Sequence, residues 1–543
     1  MTGGASRIAA PDSSPPGRPQ APPGPGTRRA GQPLIRHNDY SPISPPPLSG
    51  WTPSLSVSVV VPAHCNQEAL DLTLAALAAQ TYPAHLMEVV VVDDGSAPPL
   101  RLPGIAPEHT RLVRLGREAR DGEWGIAHAV NMGVRAAEGE LIQRLDADMV
   151  TCREHIKALA RWHHKAHHLV TIGIKRFTDD VSHSPGDVHD KVAMGAFEAL
   201  FPAESTVPSS TSATIARTDG LRTSRNPYHV CTGPTLSLRK ETFQAVGGLD
   251  TQVLRGEDTE FAYRLAMHGV VFIPDMAADA VHLGLPSQRR EPGRAVRAVE
   301  PFLAHRVPLR RDLRKEPGRH WLVPYIEIVF EVGGVAQEVV REGVGAALSG
   351  SLQDVVVTLI APWSALPAGR RPVLEDPSFD LRALREHYSH DERVRLRDEV
   401  AVSPSPVPYR YVGPVDVPLG RRTLEKMVET VQRERPGVLV IDLPGGRTAT
   451  LERTDALNRA RLLAAPGDDL REIVDATHGI RRSQASDYWP APRRPVPAAA
   501  ESAAPERDAA KPAPSGAAQP PAGKREAPPE SWLAKMRDAL QRR

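Results

Sequence analysis

At 543 residues and 58.9 kDa, the chain is long enough for two or three domains with cores of their own, which excludes a small disulfide-stapled module. Lys plus Arg total 67 against 65 for Asp plus Glu, a formal net charge of +2; with no polyanion footprint, nucleic acid is not an expected partner. Cys65, Cys152 and Cys231 are odd in number and far apart, with no Cys-x-x-Cys pair, so neither a disulfide framework nor a zinc ribbon fits and a reducing cytosol is expected.

Residues 1–54 are crowded with Pro, Gly, Ser and Arg, a composition that buries too little apolar surface to offset its ordering entropy, and they are expected to form a disordered arm. That arm has Pro and Gly where a signal peptide needs an apolar stretch. No uninterrupted apolar run approaches the ~18–20 residues of a membrane span. A soluble, cytoplasmic protein is expected, and the Ala-, Pro- and Arg-rich usage hints at a bacterial source.

Val57 to Val61 is a β-branched run, followed by a helix-like stretch through Leu70, Leu74 and Leu77 and a second run from Val89 to Val92. Strands without polar alternation suit a parallel sheet covered on both faces. The second run ends in Asp93-Asp94-Gly95-Ser96, at the carboxyl end of a buried strand, where open α/β sheets bind ligands. Carboxylates there can accept hydrogen bonds from a base or ribose, and Gly95 lets the backbone turn close to a ligand; an ordinary polar turn gives the same four residues.

The stretch "ELIQRLDADMV" sets Asp146 and Asp148 at the mouth of another apolar strand. With Ala147 pointing away, the two carboxylates lie on one side of an extended segment, where they would repel without a cation. Hard oxygen ligands suit magnesium or manganese, which could bridge a diphosphate and neutralise charge on a departing nucleotide. In "RWHHKAHHLV", His163 with His167 and His164 with His168 have i, i+4 spacing that could bind zinc; without a nearby acid, a solvated helix face is the expectation. "CTGPTLSLRKETFQAVGGLD" reads as strand, helix and a Gly247-Gly248 turn. "LRGEDTEFAYRLAMHG" then places Glu257 and Asp258 at the start of a helix whose Phe261, Leu265 and preceding Leu254 face a core. The acids either complement the helix dipole or supply a general base for an acceptor hydroxyl.

Residues 285–320 are an Arg-rich connector that could cover a diphosphate, contact an anionic acceptor or form a solvated linker helix. From 321 to 490 the first plan recurs in smaller form. Ile326–Phe330, a helix around Val339–Leu348 and Val355–Ile360 repeat the strand, helix, strand spacing, and "RRTLEKMVETVQRERPGVLVIDLPG" is set against "GIAHAVNMGVRAAEGELIQRLDADM". A degenerate internal duplication follows. Ala361 and Pro362 replace the Asp93-Asp94 pair, only Asp442 remains of the Asp-x-Asp pair, and no counterpart of the Glu-Asp helix is visible. This module is expected to be catalytically silent, packing on the first, binding acceptor or mediating assembly. Residues 491–543 form a Pro/Ala-rich tail, ending in a short amphipathic helix through Trp532, Leu533, Met536 and Leu540. The tails and second module are the places where a partner protein or a membrane surface could attach.

Taken in order, "VSVVVPAHCNQEALDLTLAALAAQTYP", "VVVVDDGS", "AVNMGVRAAEGELIQRLDADM", "TGPTLSLRKETFQAVGGLD" and "GEDTEFAYRLAMHG" resemble the family 2 glycosyltransferases of GT-A fold, across residues 55–284. The resemblance implies a Rossmann-like, mostly parallel α/β sheet flanked by helices. It also implies inverting transfer of a sugar from a nucleotide-diphosphate donor to the hydroxyl of a glycan, envelope polymer or metabolite. By that similarity Pro62, Ala63, Glu68, Asp93 and Asp94 would line the nucleotide pocket, and Asp146 and Asp148 would hold the donor through manganese or magnesium. Asp258, beside Glu257, would be the catalytic base, and His282 in "DAVHLG" would be a further metal ligand or a strand-end histidine. The chain departs from the family where His64-Cys65 replaces the common Tyr-Asn. Two other readings are a non-catalytic sugar-nucleotide-binding scaffold and a nucleotidyltransferase. The latter would want a Gly-rich basic loop after the first strand, where "PAHCNQEA" has none.

Overall fold

In the computed structural model the described residues are 31–116, 124–179, 182–285, 292–316, 318–369 and 372–490. The first 30 residues of the arm, positions 286–291 of the connector and the whole tail with its Trp532 helix lie outside them.

The first strand, β1 (Val57–Ala63), is buried at every position. Val57, Val59 and Val61 pack with Leu70, Leu74 and Leu77 of helix α1 (Gln67–Ala78). On the opposite face Val60 meets Val130 and Val134 of α2 (Ile126–Ala136). A strand covered on both faces has no use for alternation, which is why its sequence is almost wholly apolar. Asn66 caps α1, its side chain accepting from Ala69 N at 3.3 Å.

The remaining strands of the first sheet are β2 (Met87–Asp93), β3 (Thr110–Arg114), β4 (Leu141–Arg144), β5 (Met149–Thr151), β6 (Leu169–Thr178), β7 (Val207–Pro208), β8 (Leu236–Arg239) and β9 (Val271–Leu283). Their order is β3-β2-β1-β4-β8-β6-β9-β5, with β7 on β6. β1 to β4 run parallel, β8 is antiparallel to both its neighbours, and β6 and β9 are parallel to each other. The order reverses at β1, so the chain ends of β1, β2 and β4 open onto one crevice, the switch point at which α/β sheets hold ligands.

The second sheet comprises β10 (Ile326–Glu331), β11 (Val355–Ile360), β12 (Val394–Arg397), β13 (Tyr409–Val412), β14 (Val438–Asp442), β15 (Thr448–Arg453) and β16 (Ile480–Gln484). Its order is β12-β11-β10-β13-β15-β14-β16. Position by position, the pairing senses are those of β3-β2-β1-β4-β8-β6-β9. The internal duplication is therefore visible in the topology, but its register differs from the sequence reading. β13, not β14, takes the place of β4. Since Val60 pairs with Arg144 and Val329 with Val412, Pro414 and Asp416 stand where Asp146 and Asp148 stand in the first module. Asp442 instead lies on β14 and is ion-paired to Arg482 at 2.8 Å.

A counterpart of the Glu-Asp helix also exists. Helix α3 (Glu257–His268) follows Gly256 (φ +86°), and a later helix, Leu470–Thr477, follows Gly467 (φ +93°). Each is preceded or opened by an acid pair, Glu257-Asp258 or Asp468-Asp469, and each runs into His-Gly and an edge-side strand. The second has one residue fewer between Gly and His, enough to hide the match from a direct comparison of strings.

The modules are joined by α4 (Pro292–Arg306) and pack on each other. Asn458 and Arg459, on helix Thr454–Leu463, donate to Met267 O and Val270 O, each at 2.7 Å, and Tyr263 Oη donates to Pro406 O at 2.5 Å. The arm expected to be disordered is docked from residue 31 onward. Ile35 and Tyr40 are buried against Trp162, Leu169 and Val271, and Asn38 exchanges two 2.9 Å bonds with Phe272. These few apolar and amide anchors, not the surrounding Pro and Ser, decide its order. Among the described residues no helix is long and apolar enough to cross a membrane.

Candidate active site

The crevice is built first from β1 and β2, which run in register to Ala63 opposite Asp93. Pro62 and Ala63 are buried at the strand end. Asp93, 2% exposed, accepts Ser96 N at 2.9 Å and Leu100 N at 3.0 Å. Its carboxylate thus closes the loop that follows. Gly95 takes φ +73° there, a conformation that side chains disfavour. Asp94 accepts Gly125 N at 3.1 Å and ties the loop to the start of α2. Ser96 Oγ accepts Cys65 N at 2.8 Å, and His64 Nδ1 is 3.0 Å from Asp94 O. Glu68 is exposed on the first turn of α1. Beside His64 stands Trp124, 55% exposed, with ring centroids 6.2 Å apart.

β4 leads into Asp146-Ala147-Asp148. Ala147 is buried and its carbonyl accepts Thr73 Oγ1 at 2.9 Å; the chain turns at Ala147-Asp148 instead of running extended as the sequence suggested, and the turn leaves both acids half-buried. β5 and β9 pair Met149 with His282, and Leu283 N donates to Asp148 O at 2.8 Å. This brings His282 Nε2 to 3.5 Å from Asp148 Oδ1. Asp146, Asp148 and His282 each offer a ligand atom, all within 4.8 Å of one another, and form the one such group of three found among the described residues. His282 Nδ1 lies 3.1 Å from Leu283 O, which turns Nε2 toward the acids, the usual orientation of a ligating histidine. Burial pushes the Asp148 carboxyl up to about 6, with His282 opposing the shift and Asp146 adding to it. A cation at this spot would offset that cost, so the donor set fits a divalent metal.

On the other side of Asp146 lies Arg144, 5% exposed, with Nη2 at 3.3 Å from Asp146 and 3.9 Å from Glu257. Burial opposes its charge, but Asp146, Glu257 and Asp258 outweigh burial and hold its pKa up. Lys175 on β6 donates to Thr232 O at 2.7 Å and Thr232 Oγ1 at 2.8 Å. Burial lowers its pKa, while Asp258 and Asp146 favour its charge. Glu257 is buried at the opening turn of α3, and burial followed by the neighbouring Asp258 pushes its carboxyl up to about 7, against Arg144. Asp258 is half-buried and accepts Thr259 N at 2.6 Å.

The structure thus gathers Asp146, Asp148 and His282 in one cluster and links Glu257 to it through Arg144. Pro62, Ala63, Asp93 and Asp94 form a second group at the ends of β1 and β2. Arg144 and Lys175 were missed in sequence. Their signal is a cation inside an otherwise apolar strand, single in "LIQRL" and paired with Arg176 in "TIGIKRF". The helix reading placed Leu254 against a core, but it is 73% exposed because it precedes the Gly256 turn; Phe261 and Leu265 are buried. The histidine run is not a solvated face either. His163 and His168 are buried, and His163 Nε2 is 3.3 Å from both Thr171 Oγ1 and Ser237 Oγ.

Residues 58–247 match the model described as Glycosyl transferase family 2. These residues are a family 2 glycosyltransferase domain. Glu257, Asp258 and His282 lie beyond the match. Chondroitin synthase of Escherichia coli is 25% identical over 364 residues, covering 63% of this chain and 50% of that protein. Hyaluronan synthase of Pasteurella multocida is 25% identical over 362 residues, covering 63% and 35%. That 63% exceeds the share residues 1–284 make up, so the likeness extends beyond the glycosyltransferase domain. The chain nonetheless spans half or less of these relatives' lengths. Mannosyltransferase PcManGT from Pyrobaculum calidifontis, solved with GDP-Man and Mn2+, is 21% identical over 50% of this chain and 67% of that one, with a TM-score of 0.33.

Proposed function

We propose that this chain is an inverting glycosyltransferase that moves a sugar from a nucleotide-diphosphate donor to the hydroxyl of a glycan, envelope polymer or metabolite. The observation that carries the reading is the Asp146, Asp148 and His282 cluster, joined through Arg144 to the acids that open α3. Asp146, Asp148 and His282 are the residues that would hold manganese or magnesium, which neutralises charge on a departing diphosphate. The Asp93 loop, Asp94, Pro62, Ala63 and Glu68 are assigned to the nucleoside. Trp124 and His64 offer faces for the base, where the family's usual Tyr-Asn is missing.

Inversion calls for a base on the face of the sugar opposite the leaving group. Asp258 takes the acceptor hydroxyl proton as that oxygen bonds to the anomeric carbon and the carbon–diphosphate oxygen bond breaks. Arg144 keeps Glu257 and Asp146 from repelling each other across the site, and Lys175 adds a second buried cation. The second module is read as catalytically silent. The β2-equivalent strand ends in Ala361-Pro362, Pro414 replaces the first metal-ligating acid, and Asp416 is ion-paired to Arg447 at 2.7 Å. Three free thiols fit a reducing, cytoplasmic setting.

Asp258→Asn tests the base. Turnover should fall about 10²–10⁴-fold, while donor binding measured by calorimetry stays within about threefold. Unchanged turnover would remove Asp258 from the role.

A further inference from the structure

Outside the crevice, a cavity of about 270 Å³ lies where the two modules and the docked arm meet. It is larger than a single bridging water requires, at ~30 Å³ per water, and close to the lower end of small-molecule pockets. Its wall carries Arg225, Arg435, Arg453 and Arg459 against a single acid, Asp455. Asp455 is taken by Arg453 at 2.5 Å. Arg459, 4% exposed, donates to the carbonyls of Gly269, Val270, Ile35 and His37, none of which carries a compensating charge. Arg435 donates to Ser224 O at 3.3 Å, and Arg225 to Gln432 O at 3.1 Å. No described carboxylate lies at ion-pair distance from Arg225, Arg435 or Arg459.

His37 and Tyr228 also line the cavity, with His37 Nδ1 and Tyr228 Oη themselves closed off from it. Arg435 holds φ +61° at the end of helix Thr423–Glu434, a position where glycine is usual. The electrostatics agree with the geometry. Burial, then Arg453 and Arg225, bring the Arg435 guanidinium down to about 10, and burial with Arg453 does the same to Arg459. Burial and Arg435 and Arg453 press His37 down to about 3. Excess positive charge facing a polar void is what an anion would relieve.

We propose that this inter-module cavity binds a small phosphate-bearing anion, with Arg435 and Arg225 as its direct contacts. Guanidinium groups present paired donors that match phosphate oxygens. The site is separate from the crevice. Ala266, Met267 and Val270 place it at the carboxyl end of α3, whose 12 residues span about 18 Å from the acids at the other end. An occupant would brace the two modules and the arm together at the far end of the helix that carries Asp258.

The test is calorimetric titration of the full chain with pyrophosphate, inorganic phosphate and malonate, in EDTA and at fixed ionic strength. One saturable site for a phosphate ligand is expected, retained in Asp146→Ala/Asp148→Ala, weakened at least tenfold by Arg435→Gln and severalfold by Arg225→Gln. Should Arg435→Gln fail to fold, Arg225→Gln on the exposed rim carries the test. The proposal is overturned by no saturable binding, by malonate binding more tightly than both phosphates, or by binding that the Asp146/Asp148 variant loses and the cavity variants keep.

Discussion

Arg144→Met keeps most of the side-chain stem and removes the one guanidinium that faces both Asp146 and Glu257. Breaking a buried pair typically costs ~3–5 kcal/mol, because a charge is left uncompensated. The lower end is expected here, since Glu257, whose carboxyl burial already pushes up, can escape by protonation. The pH dependence gives the sharper check. The folded Glu257 carboxyl sits at about 7, above its ordinary 4.5, so its ionisation weakens the fold as pH rises through that window. Without Arg144 the window extends upward, and every further pH unit it spans is worth about 1.4 kcal/mol. Below about pH 5.5 Glu257 is protonated with or without Arg144 and only the Asp146 contact is lost. The deficit should therefore be ~1–2 kcal/mol in acid and ~3 kcal/mol at about pH 8. In thermal unfolding that is a fall in Tm of about 3–6 °C at the higher pH, measured in EDTA so that no cation substitutes for the guanidinium. A deficit below about 1 kcal/mol, or one that shrinks as pH rises, would refute the assignment of Arg144 as the cation that balances the site.

Gly133→Ala should destabilise the fold by about 1–3 kcal/mol by overpacking, because a Cβ on this face of α2 runs into Val60 Cγ1 and lies 2.9 Å from Val92 Cγ2; equilibrium denaturation reads it, and a neutral result would contradict the close packing of α2 on β1 and β2. Trp124→Ala, at a 55% exposed position, should leave Tm unchanged but weaken nucleotide binding about tenfold, in line with ~1–3 kcal/mol for base–aromatic stacking. Equal affinity would take Trp124 out of the pocket.

The first module was legible because its signals are local. The unbroken run Val57–Val61 and the Asp93-Asp94-Gly95 turn carry their geometry in neighbouring residues, whereas Asp146 and Asp148 are brought together by a turn and not by the expected extended alternation. What was hidden depends on distant partners. Arg144 reads as an oddity in a strand until α3 brings Glu257 beside it, and Ile35, Asn38 and Tyr40 look like linker until β9 and Trp162 receive them. The second module's register was misread because helix-then-strand is a pattern shared by β4 and β14. Only hydrogen bonding shows that the short strand Tyr409–Val412, which follows a Pro-rich stretch, occupies the β4 position.

The most direct test of the central claim is a thermal-shift panel of nucleotide-diphosphate sugars with and without manganese, on the native chain and on Asp146→Ala/Asp148→Ala. Ligand at about 100 times its Kd should stabilise the native chain by ~2.7 kcal/mol. The account predicts a manganese-dependent rise with at least one donor that the double variant loses. A shift of equal size in the double variant, or no donor bound at any manganese concentration, would contradict it.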